Sequence, residues 1–357
     1  MKIGIFTFHR AKNYGAVLQC YALYSFLKRI NNDVRVIDYA PTYLAGMKDN
    51  ASVVKRMVAI CKSIIYWFIN LGETKIGDVF SDFIENYLTL ASLDDAKNMD
   101  AIVCGSDQIW NPNICNGFDP IFFGKIPLSK DIYAISYAAS MGNTDILPLQ
   151  IKEFTTLINY MNAVSVRESS LSKLLNSIGI KNKLVVDPVL LAGEECFRKI
   201  IIPIRQKKPF VLVYELTQLQ HTYTMANNIA SQIGAEVVVI GGGFKGYFKK
   251  DIKNKQWLSP SQFVSYLYNA SCIVTNSFHG LAFSLIFEKQ FYVLKTNSWK
   301  DDRLVSLLSQ INLTNRIVSN DTRIKYTSID YSQPNLKLNE LRSESSNYLL
   351  RTITSKI

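Results

Sequence analysis

Lys2-Ile3-Gly4-Ile5-Phe6-Thr7-Phe8 enters an apolar, β-branched run at once, and His9-Arg10-Ala11-Lys12-Asn13-Tyr14-Gly15 then turns the chain into the helical pattern Ala16–Ile30. Asn13 and Gly15 both tolerate the backbone angles of a tight turn, so the stretch reads as strand, turn, helix. The alternation recurs. Further strands are expected at Val34–Asp38, Ala101–Gly105, Ile132–Ala138, Ala163–Arg167 and Lys183–Val186. A second series follows at Phe210–Glu215, Ala235–Ile240, Cys272–Thr275 and Gln290–Leu294. Strands alternating with helices predict α/β architecture with parallel sheets covered on both faces. Two series predict two doubly wound domains, residues 1–195 and 205–335. The expected linker is Ala192–Lys208, with Gly193, Pro203 and the basic run Arg205-Gln206-Lys207-Lys208. The last segment, 336–357, reads as a closing helix.

The 357 residues suffice for two such domains, and 48% of them are apolar, enough for a large core. A formal net charge of +11 points to acidic partners. The basic residues are scattered and no nucleic-acid motif accompanies them, so phosphorylated small molecules and lipid headgroups fit better than nucleic acid. Cys20, Cys61, Cys104, Cys115, Cys196 and Cys272 form no CxxC pair and have no zinc-ligand spacing, so they read as buried apolar residues with no metal role. The N-terminus lacks the pattern of a secretory signal and no stretch is a clean membrane span, so a cytoplasmic protein is expected. Residues 53–71 set Lys55, Arg56 and Lys62 among Met57, Ile60, Ile64, Ile65, Trp67 and Phe68. They read as a packing helix, or as one that docks on an acidic membrane surface.

In open parallel sheets, ligands bind beyond the carboxyl ends of the strands. The segments to inspect are therefore those just after strands. His9, Asn13, Tyr14 and Gly15 follow the first, and they either line a cleft or form a structural turn. Ser106, Asp107 and Gln108 follow the third; Asp107 either accepts a sugar hydroxyl or caps the next helix. Arg167 closes another strand, where it can hold a phosphate or carboxylate, or simply pair with Glu168. Asn276-Ser277-Phe278-His279-Gly280 joins an apolar strand to an apolar helix and faces the expected cleft. His279 there suits acid–base work near neutral pH. Lys295, Lys300 and Arg303 follow the next strand and serve an anion or stay solvated. Gly241-Gly242-Gly243 can let backbone amides approach a phosphate, although no P-loop is present.

These stretches, in this order, resemble the polysaccharide pyruvyl transferase family. The likeness lies in the opening strand with Asn13-Tyr14-Gly15-Ala16-Val17-Leu18-Gln19, in Gly105-Ser106-Asp107-Gln108-Ile109-Trp110-Asn111-Pro112, in Ser165-Val166-Arg167-Glu168, in Val186-Asp187-Pro188, and in Asn276-Ser277-Phe278-His279-Gly280. The resemblance implies a GT-B-like fold of two Rossmann-like domains facing a cleft, the first on the acceptor side and the second on the donor side. It implies phosphoenolpyruvate as donor, no further cofactor and no metal. The acceptor is a sugar of a capsule, exopolysaccharide or lipid-linked glycan, which receives a pyruvate ketal. His279 and Arg167 match the residues that serve the chemistry and the donor; Ser277, Arg303, Lys295 and Gly241 complete the implied donor side. Many members carry Arg-Leu-His where this chain has Ser277-Phe278-His279, so one donor contact differs. The alternative reading of the same fold is a glycosyltransferase using a nucleotide sugar.

Overall fold

A computed structural model describes residues 1–45, 79–127, 132–217, 219, 221–241, 252–255, 258–298, 301–319 and 323–355. The 53–71 segment, Cys61, Gly242, Gly243 and Lys300 lie outside the described residues.

The first sheet contains β1 (Ile3–Phe6), β2 (Val34–Ile37), β3 (Leu90–Ala91), β4 (Ala101–Cys104) and β5 (Tyr133–Ser136). Its order is β3-β2-β1-β4-β5, and every pair is parallel. The short pair β6 (Ser165–Val166) and β7 (Lys183–Leu184) extends this layer through bridges at Ile135–Ala163 and Ala139–Val166. The second sheet contains β8 (Phe210–Tyr214), β9 (Glu236–Ile240), β10 (Ile252–Lys255), β11 (Cys272–Thr275), β12 (Gln290–Leu294) and β13 (Ile317–Val318). Its order is β10-β9-β8-β11-β12-β13, again all parallel. Ten helices are labelled here: α1 (Tyr14–Ile30), α2 (Val79–Tyr87), α3 (Pro148–Ile158), α4 (Ser169–Ser177), α5 (Pro188–Arg198), α6 (Thr222–Ile233), α7 (Pro260–Asn269), α8 (Phe278–Ile286), α9 (Asp301–Gln310) and α10 (Ser332–Thr354). The central strands are buried along their whole length, as continuous apolar runs in parallel sheets require.

Each sheet reverses its winding beside its first strand, between β1 and β4 and between β8 and β11. Crevices for ligands open beyond the carboxyl ends of strands at such points. The turns at Thr7–Asn13, Gly105–Asp107 and Asn276–Ser277 leave the carboxyl ends of β1, β4 and β11, at these two positions.

All ten expected strands form, generally shorter than the apolar runs that announce them. The edge strands β3, β10 and β13 carry no readable pattern: Leu90–Ala91 and Ile317–Val318 are too short to show periodicity, and three of the four residues of Ile252–Lys255 are lysine or asparagine. The expected linker needs correction. Its first part, from Ala192, is helix. Asp187 caps α5 by accepting the Val189 N–H at 2.9 Å, and Pro188 occupies the first helical position. Gly193, at φ 69° and ψ -178°, leaves the helical region and marks a kink between two helical segments. The closing helix begins earlier than expected, at Ser332, and returns to the first domain. Arg342 Nε donates to Leu190 O at 2.6 Å, Val186 N to Ser345 Oγ at 3.0 Å, and Tyr133 Oη to Thr352 O at 2.9 Å.

The two domains share an interior. One apolar cluster runs from Ile3, Val17, Leu18 and Tyr21, through Val189, Leu190 and Phe197, to Phe210, Phe263, Leu281 and Phe283. Helix α1 packs on α5, and α5 packs on α8. Tyr14 pins the junction. Its ring stacks on Phe263 with centroids 4.2 Å apart, and its hydroxyl donates to Leu258 O at 2.9 Å. Among the described residues, no helix is long and apolar enough to cross a membrane.

Candidate active site

The turn after β11 carries the histidine. Thr275 Oγ1 donates to Tyr214 O at 2.5 Å and accepts the Ser277 N–H at 3.0 Å. Asn276 ties down the chain that leaves β8: its carboxamide accepts the Leu216 N–H at 2.8 Å and donates to Thr217 O at 2.6 Å. Ser277 caps α8, accepting the Gly280 N–H at 3.4 Å. A Cβ on residue 280 would lie 2.3 Å from Thr275 Oγ1, so the turn closes only on glycine. Phe278 and His279 are thereby delivered to the domain junction. His279 is 9% exposed, and its ring lies against Gly15 of α1.

The first domain answers with Asp187. One oxygen caps α5. The other, Oδ2, lies 2.7 Å from Arg167 Nη1, 3.7 Å from His279 Nε2 and 3.5 Å from Ser106 Oγ. Arg167 is held on its own side by its N–H, which donates to Ala139 O at 3.1 Å. Its guanidinium also lies 3.6 Å from Glu168 Oε1 and 3.8 Å from Asp107 Oδ1, and it covers the Phe278 ring at 4.8 Å. Arg303, on α9 of the second domain, approaches the same ring at 6.0 Å. Two guanidiniums from different domains thus converge on one phenyl ring, with an imidazole beside them.

Burial sets the charge states. It pushes His279 below the ordinary histidine range; Asp187 and Asp107 resist, while Arg167 and Arg303 reinforce it. The imidazole is therefore neutral at pH 7. Burial pushes the Glu168 carboxyl up, against the pull of Arg167 and Arg303. Arg303 is lowered by burial and by its neighbour Arg167. Burial also works against charge on Arg167, but Asp187, Glu168 and Asp107 outweigh it.

Two spaces adjoin the cluster. A cavity of about 230 Å³ is lined by Arg167, Asp187, Phe278, Arg303 and Ser306, with α10 on one side. A more open groove of about 720 Å³ is lined from both domains by Glu168, Ser169, Lys173, Lys295, Asn297 and Asp302. Ser306 lines both, and its hydroxyl meets that of Ser169 at 3.0 Å.

Of the residues expected from the sequence, the structure brings together His279, Arg167, Arg303, Asp107, Ser106 and Gly15. Others serve elsewhere. His9 does not line a cleft: it has no exposed surface, and its ring nitrogens are engaged by Asp38 Oδ1 at 3.0 Å and Thr7 O at 3.2 Å. Asn13 caps α1, accepting from Gly15 N at 2.8 Å and Ala16 N at 3.3 Å. Tyr14 is spent on the domain junction. Asp107 caps no helix, because turns follow it; it sits at φ 74° and faces Arg167 instead. Gln108 turns to Asn111, at 2.7 Å, away from the cluster. Ser277 Oγ is engaged as the cap of α8. Lys295 lies in the wider groove, apart from the guanidiniums. Gly241 donates its N–H to Lys255 O at 3.2 Å, which leaves that amide unable to serve a phosphate.

Asp187 and Phe278 were missed as site residues. Asp187 before Pro188 announces a helix cap; the role of its second oxygen depends on Arg167 and His279, which are distant in sequence. The arrangement puts a neutral base, a candidate neutral acid and paired guanidiniums at the junction of two Rossmann-like domains.

A family model describing polysaccharide pyruvyl transferases matches residues 13–298. The chain belongs to the polysaccharide pyruvyl transferase family. All the clustered residues of this pyruvyl transferase family member except Arg303 lie within the matched span. No curated protein matches its sequence. Solved structures share its fold. The UDP-GlcNAc 2-epimerase of Neisseria meningitidis bound to UDP-GlcNAc aligns with TM-score 0.54 and 11% identity over 99% of this chain and 100% of that one. The S. aureus MnaA–UDP structure gives 0.52 and 10%, over 100% and 98%. The UDP-N-acetylglucosamine 2-epimerase of Rickettsia bellii gives 0.50 and 11%, over 99% and 96%. At such identities the likeness establishes the fold, which is GT-B-like.

Proposed function

We propose that this transferase moves the pyruvyl group of phosphoenolpyruvate onto two hydroxyls of one sugar, forming a ketal. The observation that carries the reading is the pair Arg167 and Arg303 flanking Phe278, with His279 alongside. Phosphoenolpyruvate has two anionic ends on a three-carbon frame, and burying them requires charged, hydrogen-bonding partners. A guanidinium from each domain offers one partner per end.

The chemistry begins with a proton added to C3, which leaves C2 cationic in character. An acceptor hydroxyl then bonds to C2 and loses its proton. A neutral imidazole suits that step: His279 Nε2 takes the proton, and Asp187, 3.7 Å away, stabilises the imidazolium. The C2–O bond to phosphate breaks with its electron pair, and His279 returns the proton to the departing phosphate. A second hydroxyl closes the ketal. No cofactor takes part beyond the donor. The net charge of +11 suits an acceptor carried on an anionic lipid or polysaccharide at the cytoplasmic face of a membrane, as in capsule or exopolysaccharide assembly.

The test is incubation with phosphoenolpyruvate and a panel of lipid-linked and model glycosides, read by mass spectrometry for pyruvyl addition and by phosphate release. Ketal product with stoichiometric phosphate supports the reading. Glycosyl transfer from a nucleotide sugar, with thermal stabilisation by that donor and none by phosphoenolpyruvate, overturns it.

A further inference from the structure

We propose that Glu168 is the acid that delivers the proton to C3 of the enol phosphate. The inference rests on the pyruvyl-transfer reading and deepens it, because that reaction needs a proton source distinct from the neutral imidazole. Glu168 is 3% exposed and directly follows the guanidinium-bearing Arg167. It lines the open groove of about 720 Å³ that both domains form. The residue therefore borders the Arg167 guanidinium, 3.6 Å away, on one side and the open groove on the other.

Its hydrogen bonds say where the proton sits. Ser140 Oγ accepts the Gly142 N–H at 3.2 Å and donates its own hydrogen to Glu168 Oε1. Oε1 is thus fixed as the accepting oxygen. Oε2 is buried and has no hydrogen-bond partner. A bare carboxylate oxygen in that position is costly, whereas a carboxyl O–H there awaits an acceptor. Burial favours the same protonated form, with Asp107 acting the same way and Arg167, Arg303 and Ser140 opposing it. Neutral Glu168 also avoids setting a third carboxylate, after Asp107 and Asp187, against an anionic donor.

The steps balance. The π pair of the C2–C3 bond takes the Oε2 proton, making the methyl group and leaving Glu168 as carboxylate. The first acceptor hydroxyl gives its proton to His279, which passes it to phosphate. The second hydroxyl, on closing the ketal, gives its proton to Glu168 and restores the acid. Two hydroxyl protons are consumed, one ending on carbon and one on phosphate, and both side chains return to their starting state.

The test compares wild type, Glu168→Gln and Ser140→Ala in ketal formation across pH, with phosphoenolpyruvate-induced thermal shift as the binding readout. Glutamine keeps the Ser140 contact but holds no acidic proton. We expect Glu168→Gln to bind the donor yet lose about 10²–10⁴ in turnover. We expect Ser140→Ala to move the alkaline limb of the activity profile to higher pH, since the hydroxyl favours the charged carboxylate. Near-wild-type turnover in Glu168→Gln overturns the assignment. So does an unmoved alkaline limb in Ser140→Ala, which decides the matter even if Glu168→Gln does not fold. Absence of pyruvyl transfer in the wild type sinks the functional reading itself and is told apart on that ground.

Discussion

A Cβ on Gly15 would stand 2.2 Å from Nδ1 of His279. The opening turn of the chain thus sets the position of an imidazole that follows it by most of the sequence. Gly15→Ala forces that ring off its seat or parts α1 from α8. Such overpacking costs about 1–3 kcal/mol. The expected outcome is a modest fall in Tm with a much larger fall in turnover, read by thermal unfolding and ketal assay on the same preparation.

His279→Gln retains the size and hydrogen-bonding capacity of the side chain but not its proton affinity. Turnover should fall by about 10²–10⁴ with little change in donor-induced stabilisation. Near-normal turnover in this variant removes His279 from the chemistry.

Arg167 and Arg303 should separate cleanly. Arg167→Ala leaves Asp187 buried without its 2.7 Å partner, and losing one member of a buried pair costs about 3–5 kcal/mol. Its first symptom is instability, ahead of any change in KM. Arg303 is half-buried, and its removal should raise KM for phosphoenolpyruvate by about tenfold or more, since a charged hydrogen bond contributes about 1.5–3 kcal/mol. Steady-state kinetics beside thermal denaturation distinguishes the two.

Acid stability reports the buried histidines. Burial lowers the pKa of both His9 and His279 below 6.5. Below that value the unfolded chain takes up protons that the folded one refuses. Stability is therefore fully present above pH 6.5 and is lost as pH falls toward the two folded values. His279→Gln should flatten part of that decline in a Tm-versus-pH series; an unchanged slope means the imidazole is solvated in the native state.

Tyr14 tests the domain junction. Tyr14→Phe keeps the stack on Phe263 and loses only the bond to Leu258 O, costing about 1 kcal/mol. Tyr14→Ala removes the ring, with a cost of about 3–5 kcal/mol by analogy with other large-to-small core changes. Denaturant titration gives both figures.

The fold was readable because parallel strands buried on both faces leave continuous apolar runs, as at Phe210–Tyr214 and Cys272–Thr275. Short edge strands carry too few residues for any pattern. Position at a strand end brought up His279, Arg167 and Arg303 as candidates, with a structural or solvated role left open for the two arginines. It failed where the same logic picked a polar group that the turn itself uses, Asn13. His9 misled for a related reason: its partner Asp38 closes the neighbouring strand β2 and is not local to it. Asp187 escaped because capping a helix and bridging a guanidinium to an imidazole call for the same side chain.

The continuous apolar cluster linking α1, α5 and α8 has a bearing on traffic. Halves that share an interior cannot swing apart without wetting it, at about 25 cal/mol for each Å² of apolar surface exposed. A ligand of the buried cluster would then have to enter through gaps at the rim. If the proposed pyruvyl transfer holds, the segments bordering Glu168 and Lys295 would set the girth of the acceptor, with no gape between lobes to widen the passage.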